Sequence, residues 1–131
     1  MIFGIGIDTI EVARIQRAIE TYGDQFLRRI YSEEEIRYCS RKPRLYEHYA
    51  ARFAAKEAYA KAIGTGVRRK FTWKNVVVQN EFSGQPYITL RDEMAERASK
   101  IIGGEYKIHL SITHTREIAE AIVTISMTND E

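Results

Sequence analysis

Between Phe3 and Asp8 the residues alternate, with Phe3, Ile5 and Ile7 on one side and Gly4, Gly6 and Asp8 on the other, which predicts a strand. Glycine weakens a strand interior and marks a place where a ligand or another backbone comes close, so the face carrying Asp8 reads as open. Val12, Ile15, Ile19 and Tyr22 then recur at helical spacing as far as a stop at Gly23, with Arg14 and Arg17 turned away from that stripe. Ser32 followed by Glu35 reads as a capping box opening a short helix that ends before Pro43. A longer helix, rich in alanine, runs from about Leu45 to Ile63 and halts at Gly64-Thr65-Gly66. Val76 to Val78 and Tyr87 to Leu90 are strands joined by a turn around Ser83-Gly84-Gln85-Pro86. Asp92 to Ile102 is a helix capped by Gly103-Gly104. Two alternating segments follow, from Tyr106 to Thr113 and from Ala119 to Met127, and the last residues, Thr128 to Glu131, are expected to fray. One strand, several helices, two strands, one helix and two strands make an α+β order, not a regular βαβ succession.

The length, 131 residues, suits one domain spanning residues 1–131, with no linker, repeat or low-complexity stretch. A hydrophobic share of 44% against 29% charged residues is globular composition, and a core this small leaves room for help from oligomerisation. Net charge is only +2, so nothing global indicates a nucleic-acid or membrane-surface protein. The basic residues cluster at Arg28-Arg29, at Arg41-Lys42 with Arg44, and at Arg68-Arg69-Lys70. Cys39 is alone and cannot form an internal disulfide, which suits a reducing compartment. The apolar start lacks a basic flank and is broken at Asp8, and no run reaches the length of a membrane span, so the cytoplasm is the expected location.

In the long helix Phe53, Glu57 and Lys61 are successive i,i+4 neighbours, so Glu57 and Lys61 leave the same face. As a surface ion pair they are worth only a few tenths of a kcal/mol. Ala50, Ala54, Ala55, Ala58 and Ala60, however, leave little bulk around them, and a strand or ligand could approach closely. Asp8 likewise has an ordinary reading, as a cap for the next helix. If Asp8 and Glu57 meet, two hard oxygen ligands with room for waters suit Mg²⁺ and phosphate oxygens, and Lys61 adds positive charge one turn away.

Gly4-Ile5-Gly6-Ile7-Asp8, followed by Arg14-Ile15, resembles the opening motif of the holo-acyl-carrier-protein synthases, members of the 4′-phosphopantetheinyl transferase family. Phe53-Ala54-Ala55-Lys56-Glu57-Ala58, with Lys61-Ala62 and Gly64, resembles their second motif. Gly84 with Pro86, and Ser111-Ile112-Thr113-His114 at a strand end, resemble further landmarks in the same order. The resemblance spans nearly the whole chain and is weakest between Gly23 and Pro43 and in the helix from Asp92 to Ile102. It implies a small mixed domain in which the long alanine-rich helix packs on an antiparallel sheet.

The resemblance also implies a reaction. Asp8 and Glu57 bind Mg²⁺ together with the pyrophosphate of coenzyme A, the serine hydroxyl of an acyl carrier protein attacks the β-phosphorus, and 3′,5′-adenosine bisphosphate leaves. Lys61 contacts a phosphate oxygen. Glu57, directly or through a metal-bound water, is the candidate general base. His114 and Pro86 are expected at coenzyme A, and Gly64-Thr65-Gly66 is either a plain helix stop or backbone beside the nucleotide. Arg52 and Arg44 could face the 3′-phosphate, surface arginines being the alternative. Arg14 and Arg17 form the docking patch for an acidic carrier, and a homotrimer with sites between subunits is expected. Aromatic residues along the helices, and Trp73, are read as packing. Two other functions fit the residues. One is a small nucleotide- or RNA-binding module that grips phosphate and base with Arg68-Arg69-Lys70, Phe71 and Trp73; the other is metal-dependent hydrolysis of a pyrophosphate.

Overall fold

The computed structural model of the chain describes residues 1–68 and 70–128. In chain order the elements are β1 (Ile2–Glu11), α1 (Val12–Tyr22), α2 (Asp24–Ile30), α3 (Glu33–Ser40), α4 (Leu45–Ile63), a 3₁₀ turn (Trp73–Asn75), β2 (Val76–Asn80), β3 (Pro86–Leu90), α5 (Asp92–Ile102), β4 (Tyr106–His114) and β5 (Ile118–Met127). Both α4 and α5 end where the sequence pattern ends them, α4 at Gly64, whose left-handed φ of 94° suits a residue without Cβ. The capping box is present: Glu35 N–H donates to Ser32 Oγ and Ser32 N–H to Glu35 Oε1. Helix α2 was not anticipated, because its seven residues, Asp24–Ile30, hold too few turns to show a period. Tyr22, expected on the apolar stripe of α1, is instead exposed, since the chain turns at Gly23 into α2; Val12 and Ile15 carry the buried contact. Of the residues expected to fray, Thr128 donates its N–H to Glu105 O at 3.1 Å, and 129–131 lie outside the described residues.

The main sheet has the order β1-β5-β4 and is antiparallel throughout, with Asp8 opposite Ala121 and Ala121 opposite Ile112. Its inner face is built from Ala119, Ala121, Val123 and Ile125, all at most 1% exposed, and α4 lies across it through Ala54, Ala55, Ala58 and Ala62. Strand β1 alternates as expected, but its faces are used in an unusual way. The glycine face turns inward against α4, while Ile5 and Ile7 are 59% and 52% exposed. Ile122, the partner of Ile7 in register, is exposed with them.

A buried ion pair fastens the β2–β3 hairpin to the helices. Lys56 Nζ donates to Glu35 Oε1 at 2.9 Å and to the carbonyls of Trp73 and Val76 at 3.0 and 2.6 Å, while Val78 N–H donates to Glu35 Oε2 at 2.7 Å. Every donor of the ammonium is used, which is the condition for burying such a charge. Trp73 packs as expected, one face stacked on Phe53 with centroids 4.8 Å apart.

Candidate metal and phosphate site

Two backbones in contact create the site. A Cβ placed on Gly4 would strike the carbonyl oxygen of Ala62, and one on Gly6 would strike that of Ala58 and lie 2.8 Å from Ala62 N and 2.9 Å from Lys61 Cβ. With no side chain at either position, β1 rests directly on α4, and the next inward residue, Asp8, arrives beside Glu57 and Lys61. Lys61 Nζ lies 3.2 Å from Asp8 Oδ1 and also donates to Ile7 O at 2.9 Å. Asp8 Oδ2 is buried and has no hydrogen-bond partner among the described residues.

Glu57 responds to this placement. Burial pushes its carboxyl up to about 7, the neighbouring Asp8 carboxylate adds to the rise, and the charges of Lys61 and Arg14 oppose it. A half-buried glutamate whose charge is disfavoured by the Asp8 carboxylate, and an aspartate with an unpartnered oxygen, match the donor chemistry of a hard divalent cation. Among the described residues no group of three or more His, Cys, Asp or Glu is placed to hold a metal, so a cation held by this pair would take its other ligands from waters and a phosphate-bearing substrate. Arg14 and Arg17 are both exposed on α1. The charge of Arg14 reaches Glu57, which sets that arginine at the margin of the carboxylate pair.

The other candidate residues fall in three places. Just beyond Lys61, Gly64 and Gly66 close α4 by donating their N–H groups to Ala60 O, and the Thr65 hydroxyl donates to Gly66 O. Around Asn80, Arg52 and the turn before Pro86 come together: Arg52 Nη2 donates to Asn80 Oδ1 at 2.8 Å, and Asn80 Nδ2 donates to Gly84 O at 3.0 Å. Arg52 is only 4% exposed and lies over the Tyr38 ring at 4.2 Å, so it is an interior group on the hairpin side of α4, not a surface arginine. At the start of α4, His114 Nδ1 is 2.9 Å from Glu47 Oε1, Arg44 Nε is 4.0 Å from Glu47 Oε2, and the His48 ring stands edge-on to His114 at 5.2 Å. Burial first, then the charges of His114, Arg52 and Lys42, hold His48 below the usual histidine range.

Glu47, His48 and Asn80 carry no signal in the sequence, and although Glu35 is legible as a capping residue and Lys56 falls within the second motif, nothing in the sequence pairs them; each contact is recognisable only through a partner distant along the chain. The basic clusters Arg28-Arg29 and Arg68 with Lys70 border one cleft of about 570 Å³, together with Phe71 and Trp73. That cleft does not include Asp8, Glu57 or Lys61, and Arg69 lies outside the described residues.

Comparison with known proteins gives the same picture across the chain. The family model of the 4′-phosphopantetheinyl transferase superfamily matches residues 4–124. A holo-[acyl-carrier-protein] synthase of Solibacter usitatus is 50% identical over 125 residues, 95% of this chain and 98% of that protein. The crystal structure of a holo-(acyl-carrier-protein) synthase from Bacillus anthracis in complex with CoA (3′,5′-ADP) superposes with a TM-score of 0.79 at 37% identity, covering 98% of this chain and 99% of that one. The Helicobacter pylori holo-[acyl-carrier-protein] synthase in complex with coenzyme A gives 0.80 at 30% identity, over 93% and 99% of the two chains. From a match that runs from β1 into β5 and a relative half identical over nearly its full length, the chain belongs to the 4′-phosphopantetheinyl transferase superfamily and, within it, to the holo-acyl-carrier-protein synthases.

Proposed function

We propose that this chain transfers 4′-phosphopantetheine from coenzyme A to a serine of an apo acyl carrier protein, leaving adenosine 3′,5′-bisphosphate, with Asp8 and Glu57 holding Mg²⁺. The observation that carries the site is the meeting of Asp8 and Glu57, with Asp8 Oδ2 buried and unpartnered. The names of the relatives and the coenzyme A complexes of the solved neighbours support the substrates. When bound, the metal supplies positive charge to phosphate oxygens and aligns donor with acceptor. Lys61, 54% exposed yet tied to Asp8, is positioned to meet a phosphate oxygen from the solvent side. The serine oxygen forms a bond to the β-phosphorus as the bond to the bridging oxygen breaks, and the serine proton passes to Glu57 directly or through a water.

Around this centre, Gly64, Thr65 and Gly66 are assigned to the nucleotide, Arg44 and Arg52 to its 3′-phosphate, Pro86 and His114 to coenzyme A, and Arg14 with Arg17 to the carrier. The chain acts as one domain over residues 1–131, in the cytoplasm, as a homotrimer with sites between subunits. The exposed row Ile5, Ile7 and Ile122 supports assembly, because a sheet face of this kind is apolar surface awaiting cover. His114 and Glu57 also stand apart along the length of α4: Glu47, which holds His114 from the end of β4, precedes Glu57 by about 15 Å along the helix axis. A site shared between copies can use both ends.

Incubation with coenzyme A, Mg²⁺ and an apo carrier protein tests the reaction by mass spectrometry. A carrier that gains phosphopantetheine is expected. Nucleotide product without a modified carrier indicates pyrophosphate hydrolysis, and no turnover with salt-sensitive RNA binding indicates a binding module; either result refutes the transferase reading. Light scattering at assay concentration tests the trimer, which full activity in a monomer would rule out.

A further inference from the structure

We infer that Glu47 is a positioning residue for the reaction: its carboxylate takes the Nδ1–H of His114 and so fixes the imidazole with Nε2 turned outward to a phosphate of coenzyme A. The inference rests on the transferase reading for the identity of the ligand, and on geometry for the rest. Glu47 is only 7% exposed, on the first turn of α4, and its Oε1 lies 2.9 Å from His114 Nδ1, at the end of β4. An ionised carboxylate can only accept, so the proton of this bond belongs to Nδ1. In a ring held in this way Nε2 is the atom left for other partners, and the imidazole is 30% exposed. An anionic oxygen at Nε2 would meet the ring on the side opposite Glu47, whose carboxylate fixes the orientation from behind.

The surroundings suit that division of labour. His48 meets His114 edge-on, and burial, followed by the charges of His114, Arg52 and Lys42, disfavours its charged form. Arg44 faces the other carboxylate oxygen of Glu47 at 4.0 Å, but from an exposed position that leaves most of its guanidinium free. Arg52 and Lys42, the other cations nearby, are directed over the Tyr38 ring. A glutamate so buried has no hydrogen-bond partner other than His114 among the described side chains. Holding one imidazole accounts for its burial.

The test combines ¹⁵N NMR with binding and kinetics on the full chain. In the wild type the neutral His114 ring is expected to carry its proton on Nδ1, and in Glu47→Ala to shift toward the Nε2–H form. Glu47→Ala should raise both the KM and the calorimetric Kd for coenzyme A about tenfold, with kcat changed far less. His114→Ala should show the same loss, and the double variant should be no worse than either single one, since the two act as a unit. Glu47→Asp should recover part of the affinity if its shorter arm still reaches the ring, and thermal melting checks that each variant is folded. An Nε2–H tautomer in the wild type, or losses that add in the double variant, overturn the role of Glu47 even when coenzyme A binds normally. No binding of coenzyme A by the wild type overturns the phosphate-facing half together with the transferase reading, whatever the tautomer.

Discussion

Replacing Lys56 by methionine measures how much of the fold hangs on the pair that joins α4 to α3 and the hairpin. The methionine covers most of the volume of the lysine stem, so the loss is electrostatic. Three hydrogen bonds vanish, leaving the carbonyls of Trp73 and Val76 with one partner fewer and the Glu35 carboxylate, 0% exposed, without its counter-charge. Breaking one side of a buried pair costs about 3–5 kcal/mol. The lower end applies here, because Glu35 keeps two backbone donors, Ser32 N–H at 2.9 Å and Val78 N–H at 2.7 Å. About 3 kcal/mol is a large fraction of the 5–15 kcal/mol that a domain commonly has. Urea denaturation followed by circular dichroism, at one fixed protein concentration so that assembly does not shift the midpoint, reads the change. Adding Glu35→Leu removes the stranded charge, so the double variant should lose less than the sum of the two singles by at least about 1 kcal/mol. A Lys56→Met loss below about 1 kcal/mol, or a strictly additive cycle, would refute the view that this pair locks the hairpin to α4.

Asp8→Ala and Glu57→Ala are each expected to cut turnover by about 10²–10³ while the fold survives, with the double variant little worse, and Mn²⁺ binding followed by electron paramagnetic resonance in the presence of coenzyme A should fall in both. Unaltered metal affinity in both variants would count against a shared site. Gly6→Ala should cost about 1–3 kcal/mol in urea and also lower metal affinity, since α4 must retreat from β1. Arg17→Glu should raise the KM for the carrier, more so at low salt, and spare that for coenzyme A; it is a cleaner probe than Arg14→Glu, because the charge of Arg14 reaches Glu57. For pH, the bidentate Arg91 partner holds Glu34 down at about 2 from 4.5, so its stabilisation is complete above 4.5 and lost as pH falls through about 2. With both side chains more than a third exposed, Glu34→Gln should cost about 0.5–1 kcal/mol at pH 7 and almost nothing at pH 2, as read from paired acid melts.

The long helix was legible because alanine content, an i,i+4 pattern and a terminal glycine all state the same thing locally. Asp8 and Glu57 were legible as a pair only through the resemblance; the residues alone allowed a cap and a surface ion pair. What alternation in β1 could not tell was which face goes inside. Apolar residues usually point to the core, yet here Ile5 and Ile7 point out, because the inner place is taken by helix backbone that only glycine admits. Glu35 was read correctly as a capping residue, and that sufficient local role concealed its second one as the counter-ion of Lys56. Glu47 and His114 are 67 residues apart in sequence, and no periodicity reports a contact of that separation.

The contact of β1 with α4 also determines how the carboxylate pair tolerates change. Side-chain packing answers a methyl lost or gained with off-rotamer side chains and small backbone shifts, so distances across it drift. Between Gly4 or Gly6 and the α4 backbone there is no side chain on the strand to adjust, so the spacing is a hard stop set by the van der Waals radii of main-chain atoms. Asp8 lies two residues beyond that stop and Glu57 one residue before the Ala58 carbonyl that forms it. Substitutions elsewhere in the core can therefore lower the melting temperature without altering the separation of the two carboxylates until the helix itself lifts away. Calibration of the site and stability of the fold become separable quantities, and drift in one is not a measure of the other.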